Sequence, residues 1–270
     1  MNTLSTRGRT WFDALRGTAP VLPGLPPSVL ASDALLGDQP TRLVAVVPDP
    51  ANPYRRARQG EVGLREGWAL ARTVRDAMAQ DAHGPKRLLL AIVDVPSQAY
   101  GRREELLGIH LACAAAVDAY ASARMHGHPV IALLVGAAMS GAFLAHGYQA
   151  HRILALDDAG VMVHAMGREA AARVTRRSVD ELDQLGATNP PMSYRIADYA
   201  RLGMLHDLIA GVSADAPAGQ DVTNVRQSVL AALASIGVDE TDLAVRLTSP
   251  AARIGRAASR EVRERLAEQW

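Results

Sequence analysis

The chain has 270 residues, 49% of them hydrophobic, which is enough to bury a sizeable core as one large domain or two small ones and excludes bulk disorder. Twenty-nine basic residues stand against 28 acidic ones, so the net charge of +1 supplies no field of the kind that nucleic acid or an anionic membrane surface demands. Cys113 is the single cysteine, which excludes an internal disulfide and a cysteine-rich metal site and makes a reducing cytoplasm the expected location.

Residues 1–40 are punctuated by Pro20, Pro23, Gly24, Pro26 and Pro27 and read as an extended N-terminal arm that wraps a neighbour. The first ten residues lack the apolar core of a secretory signal. A β-rich run at 42–47 follows, then a helix near 63–78, a strand at 87–95 and a long helix from about 103 to 124. Next come a strand at 130–135, a short helix near 140–149, a strand at 152–156 and another at 160–164.

Strands alternating with helices imply crossover connections and a mostly parallel sheet, and the nearly unbroken apolar strands imply that both sheet faces are covered; the class is α/β. The uncharged run 129–145 spans 17 residues and falls short of the ~20 of a membrane helix. Gly136, Ser140 and Gly141 interrupt it, so it reads as buried strand, turn and buried helix. From residue 178 the pattern turns helical: Ser178 and Glu181 match a capping box, Ser193 opens a helix at 194–202, and two or three more helices follow from about 222. The chain divides into the arm at 1–40, a core at 41–212 and a helical C-terminal extension at 213–270. No repeat or low-complexity tract is present.

Three segments at the ends of core strands suit a ligand, because strand C-termini and helix N-termini expose unpaired amides together. The first is the glycine-rich approach to a helix containing Gly60 and Gly63, which could hold an anion or thioester, or simply turn the chain at positive φ. It is not G-x-G-x-x-G, and a dinucleotide site is poorly supported. The second is Asp94-Val-Pro-Ser-Gln-Ala-Tyr-Gly-Arg-Arg103, where Ser97, Gln98 and Tyr100 offer donors, Ala99 and Gly101 allow close approach, and Arg102 and Arg103 could pair with a free carboxylate. A helix-entry loop with solvated ion pairs is its structural alternative. The third is Gly136-Ala-Ala-Met-Ser-Gly-Ala142. Amides of Ala138, Met139, Ser140 and Gly141 could stabilise an oxyanion there, unless the small residues only let a helix pack tightly.

Ser140 also stands where a nucleophile elbow puts its serine, with His164 or His206 as the required base, although both elbow glycines are replaced, by Ala138 and Ala142. The eight histidines form no short-range ligand cluster; His126 and His128 alone make a weak metal case, and no metal is expected.

Taken in order, the second and third segments resemble the carboxyltransferase branch of the crotonase superfamily, which carries D-T-P-G-A-Y, P-V-I-A and G-E-G-G-S-G-G-A. Here those stretches are Asp94-Val-Pro-Ser-Gln-Ala-Tyr100, Pro129-Val-Ile-Ala132 and Gly136 to Ala142. The later Tyr199-Ala-Arg-Leu-Gly-Met-Leu-His-Asp-Leu-Ile209 is similar to the closing segment L-x-x-L-G-I-I-D-E-I-I. Within that branch, Ser97-Gln98, the continuation to Glu105 and the glycine-poor turn resemble the gamma subunit of biotin-independent malonate decarboxylase, over roughly residues 40–212. Ala137, Ala138 and Met139 narrow the space a biotin ring would need.

The resemblance implies a crotonase-like ββα superhelix. It implies a subunit that, with a beta subunit, converts malonyl-S-acyl carrier protein to the acetyl thioester and CO2 through an enolate held by backbone amides. It further implies partnership with the acyl carrier protein, whose CoA-derived prosthetic group carries the substrate, and with an alpha acyl transferase subunit. No cofactor bound by this chain is expected, since the thioester is already an electron sink. Ser97 to Arg102 and Ala138 to Gly141 would face the carboxylate, with Gly60 and Gly63 beside them. The alternatives are a biotin-dependent carboxyltransferase subunit and a serine hydrolase using Ser140.

Overall fold

A computed structural model describes residues 4–270 of the chain. Its centre is a sheet in the order β1(Val29–Leu36), β2(Gln39–Val46), β3(Leu88–Val95), β4(Val130–Met139), β5(Arg152–Leu156) and β7(Asp207–Ile209), with β6(Met162–His164) paired to β4. Every neighbouring pair is parallel except β1–β2, a hairpin closed by Gly37 and Asp38 with Gly37 at φ +62°. All eight residues of β3 are buried, which is why this strand reads as one apolar run with no alternation.

β4 is long enough to serve two partners. Ile131 to Leu134 pair with β5, whereas Ala137 to Met139 pair with β6. Sequence places the end of this strand at 135 and a turn at Gly136 to Met139; the strand instead continues to Met139, and the chain bends at Ser140, with φ +58°, into α5(Ser140–Ala145).

Residues 1–40 differ most from expectation: the extended arm is not what the described part forms. α1(Arg7–Arg16) buries Trp11, Phe12 and Leu15 in the chain's own core, and β1 is an edge strand of its own sheet. The physical reason is that three large apolar side chains on one helix face outweigh the Pro- and Gly-rich loop that follows. Trp11 Nε1 also donates to the carbonyl of Ala214, 2.9 Å away.

The long helix expected at 103–124 is two helices, α3(Arg102–Leu106) and α4(Ile109–Met125), divided at Gly108, whose φ of +83° no helix accommodates. α4 lies close against α2(Leu64–Gln80): a β-carbon on Gly67 would stand 2.6 Å from the carbonyl oxygen of Ala112.

Beyond β6 the chain is mainly helical, with α6(Arg168–Thr175), α7(Val179–Thr188) and α8(Ile196–Arg201) before β7. The Ser178–Glu181 capping box forms at the start of α7. Ser193 does not open α8 directly, but its hydroxyl donates to Asp198 within that helix at 2.7 Å. Four helices follow, α9(Gly219–Ala234), α10(Val245–Thr248), α11(Pro250–Gly255) and α12(Ala257–Gln269), where two or three are expected from sequence. Buried Arg152 ties this tail to the sheet through a bidentate pair with Glu240, 2.5 and 2.8 Å, and a bond to the carbonyl of Ser235. Among the described residues no helix is long and apolar enough to cross a membrane.

Candidate active site

The C-terminal ends of β3 and β4 lie side by side, and a register shift between Val93 and Val95 brings Val95 opposite Ala138. Asp94 sits at that irregularity. Its buried carboxylate accepts from Ser5 Oγ at 2.6 Å, from the Gly8 amide at 3.1 Å and from the Ala137 amide at 3.2 Å. One side chain therefore joins the start of α1 to the outer half of β4. Asp94 stands first in the recognised motif, yet the sequence carries no sign of this long-range role.

The three segments singled out by sequence meet here. Val62 pairs with Gln98: the Val62 amide donates to Ser97 O at 3.1 Å and the Ala99 amide to Val62 O at 2.9 Å. Gly60 turns at φ +96°, and Gly63 begins α2 so close to Ala57 and Ala99 that a β-carbon would stand 3.2 Å from each of theirs. The Gly63 amide donates to Glu66, a fully buried carboxylate also bound by Ser28 and Asn52. Across the gap, Gly141 donates its amide to Gln98 Oε1 at 2.7 Å, so the loop after β3 touches the first turn of α5 directly.

Several expected donors already have acceptors. Ser97 Oγ donates to Gln98 O at 2.9 Å, Ser140 Oγ to Ala165 O at 2.9 Å, and the Gly141 amide to Gln98. Ala138 and Met139 are buried strand residues held between β3 and β6, so they are not part of a free amide turn. The strand continues past Val135 because Ala137 to Met139 pair with β6, while Asp94 binds the Ala137 amide at the bend. Tyr100 is 51% exposed, and Arg102 is exposed and makes no ion pair among the described residues.

Behind α5 opens a cavity of about 660 Å³ with Ser140 and Gly141 at one wall and Phe143, Val163, Met192 and Tyr199 among its apolar sides. His164 borders it, stacked on Tyr194 with ring centroids 4.0 Å apart, while the Arg168 guanidinium covers the Tyr194 ring at 4.5 Å. Burial pushes the His164 pKa down, opposed by its contact with the Met166 carbonyl. No spacing in the sequence predicts that stack. Ser140 and His164 share the cavity wall, but the serine hydroxyl bonds to a carbonyl, and His206 lies in a separate pocket beside Arg152. The serine–histidine pair that the hydrolase alternative requires does not form among the described residues. Nor do those residues gather three or more His, Cys, Asp or Glu as a metal would require.

The fold is a crotonase-type α/β fold with a mostly parallel sheet, and the motifs singled out in the sequence lie at neighbouring strand ends. Residues 57–270 match the family described as MdcE, malonate decarboxylase gamma subunit, and the chain belongs to that family. A Pseudomonas malonate decarboxylase hetero-tetramer in complex with coenzyme A contains a chain 57% identical to this one, with a TM-score of 0.93 over 98% of this chain and 100% of that one. The Pseudomonas MdcD-MdcE hetero-dimer gives 56% identity and a TM-score of 0.89, with the same coverage. Malonyl-S-ACP:biotin-protein carboxyltransferase MADD of Malonomonas rubra is 31% identical over 215 residues, 78% of this chain and 70% of its own length. Transcarboxylase 12S, with a TM-score of 0.63 at 19% identity over 84% of this chain and 39% of that one, shares the fold.

Proposed function

We propose that this chain, paired with a beta subunit, forms the site at which malonyl-S-acyl carrier protein loses CO2 to leave the acetyl thioester. The observation that supports the reading most is the convergence of the β3 and β4 loops, joined by the Gln98–Gly141 bond, with Arg102, exposed and without an ion pair among the described residues, four positions after Gln98 in the chain. Breaking the C–C bond leaves an enolate on the thioester oxygen, so a decarboxylase must orient the carboxylate and offer fixed donors to the developing charge. The partner supplies much of the thioester pocket. This chain faces the carboxylate with Ser97 to Arg102, and Ala138 to Gly141 form the wall behind it. Gly60 and Gly63 flank Val62, whose backbone pairs with Ser97 and Ala99, and together they shape the floor. The catalytic core lies within residues 41–212, with 213–270 as its helical extension. The acyl carrier protein delivers the substrate on its CoA-derived arm, and an alpha acyl transferase loads it.

Arg102→Ala tests the assignment within the assembled complex. Loss of one charge-assisted contact should raise KM for the malonyl thioester roughly 10- to 100-fold; an unchanged KM removes Arg102 from the site. A carboxyltransferase reading is favoured by the similarity to MADD, whose name includes a biotin protein as acceptor. It requires that CO2 release depend on a biotinylated acceptor, so activity unaffected by avidin excludes it.

A further inference from the structure

The carboxamide of Gln98 has two ends, and only one has a partner. A backbone amide can donate only to an acceptor, so the 2.7 Å contact from Gly141 N–H fixes which end is the oxygen. Oε1 faces α5, and Nε2, with two hydrogens, makes no hydrogen bond within the described residues. Gly141 holds the group in place from below: a β-carbon there would lie 3.1 Å from Oε1, 3.3 Å from Cδ and 3.7 Å from Nε2. The side chain thus lies flat over the first turn of α5 and takes up the amide that a simple oxyanion turn would offer to substrate.

We infer that Gln98 relays the donor function of the Gly141 amide, presenting Nε2–H to a carboxylate oxygen of the malonyl group. This deepens the proposed function and rests on it. Gly141 N–H polarises the carboxamide by binding its oxygen, and the outward N–H becomes the substrate-side donor. Ser97 contributes indirectly, since its hydroxyl binds the Gln98 carbonyl, to which the Tyr100 amide also donates at 3.0 Å, and this fixes the backbone from which the side chain springs. The bound carboxylate is held for C–C cleavage without a metal-like cage or a nucleophile from this residue.

Gln98→Glu separates the relay from a plain helix cap. The glutamate has the same shape, and one oxygen still accepts from Gly141 N–H, but the other turns an acceptor toward the substrate. In the assembled complex we expect KM for the malonyl thioester to rise roughly 10- to 100-fold. The inhibition constant of the acetyl thioester, which has no carboxylate, should stay within about threefold of its starting value. The rise should shrink at lower pH as the glutamate protonates. An unchanged KM, or equal shifts for malonyl and acetyl thioesters, overturns the relay. If the glutamate variant does not assemble, Gln98→Ala decides: it removes the donor and uncovers Gly141 N–H, so KM rises under the relay and falls if the Gly141 amide is itself the donor. A wild-type complex that releases no CO2 is a failure of the decarboxylase reading, visible before any variant is compared.

Discussion

The carboxylate of Asp94 lies against the α-carbon of Gly136, so closely that a β-carbon at 136 would stand 2.1 Å from Oδ1. The same carboxylate binds Ser5, Gly8 and Ala137, so it has no free direction in which to retreat. Gly136→Ala must therefore push β3 and β4 apart or break the anchor of α1. A loss of about 3 kcal/mol is expected, typical of severe overpacking, and urea unfolding of purified variant and wild type measures it. A loss below about 1 kcal/mol would mean that the bend relaxes easily.

Ser140→Gly separates the decarboxylase from the hydrolase. Glycine adopts φ +58° without strain, and that relief offsets the lost bond to Ala165, so stability should change by less than about 1 kcal/mol. Activity of the complex should persist within a few-fold, and wild-type Ser140 should not react with a fluorophosphonate. Covalent labelling at Ser140 would restore the nucleophile reading.

His146 is fully buried between Tyr120 and the carbonyl of Ile92, with its two ring nitrogens 3.1 and 3.0 Å from those groups. Burial pushes its pKa down to about 4, against 6.5 for an exposed imidazole. Above about pH 6.5 both folded and unfolded chains hold it neutral and its contribution is intact. As pH falls toward 4 the unfolded chain takes up a proton that the folded chain refuses, which costs on the order of 3 kcal/mol. Urea unfolding at pH 7 and pH 5 should show the loss beginning, and His146→Gln should lose less over that interval. Equal pH slopes would assign the effect to other groups.

The strands were legible because their composition is local: β2, β3, β4 and β5 are apolar runs that few other structures accept. The N-terminal helix is hard to see in the chain, although Trp11, Phe12 and Leu15 mark one face, because the prolines from Pro20 onward dominate that region. Gly108 was equally visible as a possible break in the long helix. The continuation of β4 to Met139 had no local signal, since it depends on pairing with β6, while Asp94, which binds the bend, lies more than 40 positions earlier. For the site, the segments were identifiable by motif, but the Gln98–Gly141 bond that consumes an expected donor is a tertiary contact and leaves no mark in either stretch.

One ion pair helps to tie the tail to the sheet. Arg152 is 5% exposed at its side chain, and bonding to it holds the Glu240 carboxyl down at a pKa of about 2. Glu240→Ala leaves a buried guanidinium without its carboxylate and should loosen the segment after α9, at a cost of about 1 to 3 kcal/mol. Faster amide exchange in α10 and α11, with β3 and β4 unchanged, is the expected signature; uniform exchange throughout would mean that the tail is held by packing alone.

The most direct test of the shared decarboxylase site is CO2 release from a malonyl carrier-protein thioester by this chain alone, by a beta subunit alone, and by the two co-expressed. Release by the pair, with neither chain active by itself, is the predicted result. Release by this chain alone, or none from a stably assembled pair, would contradict it.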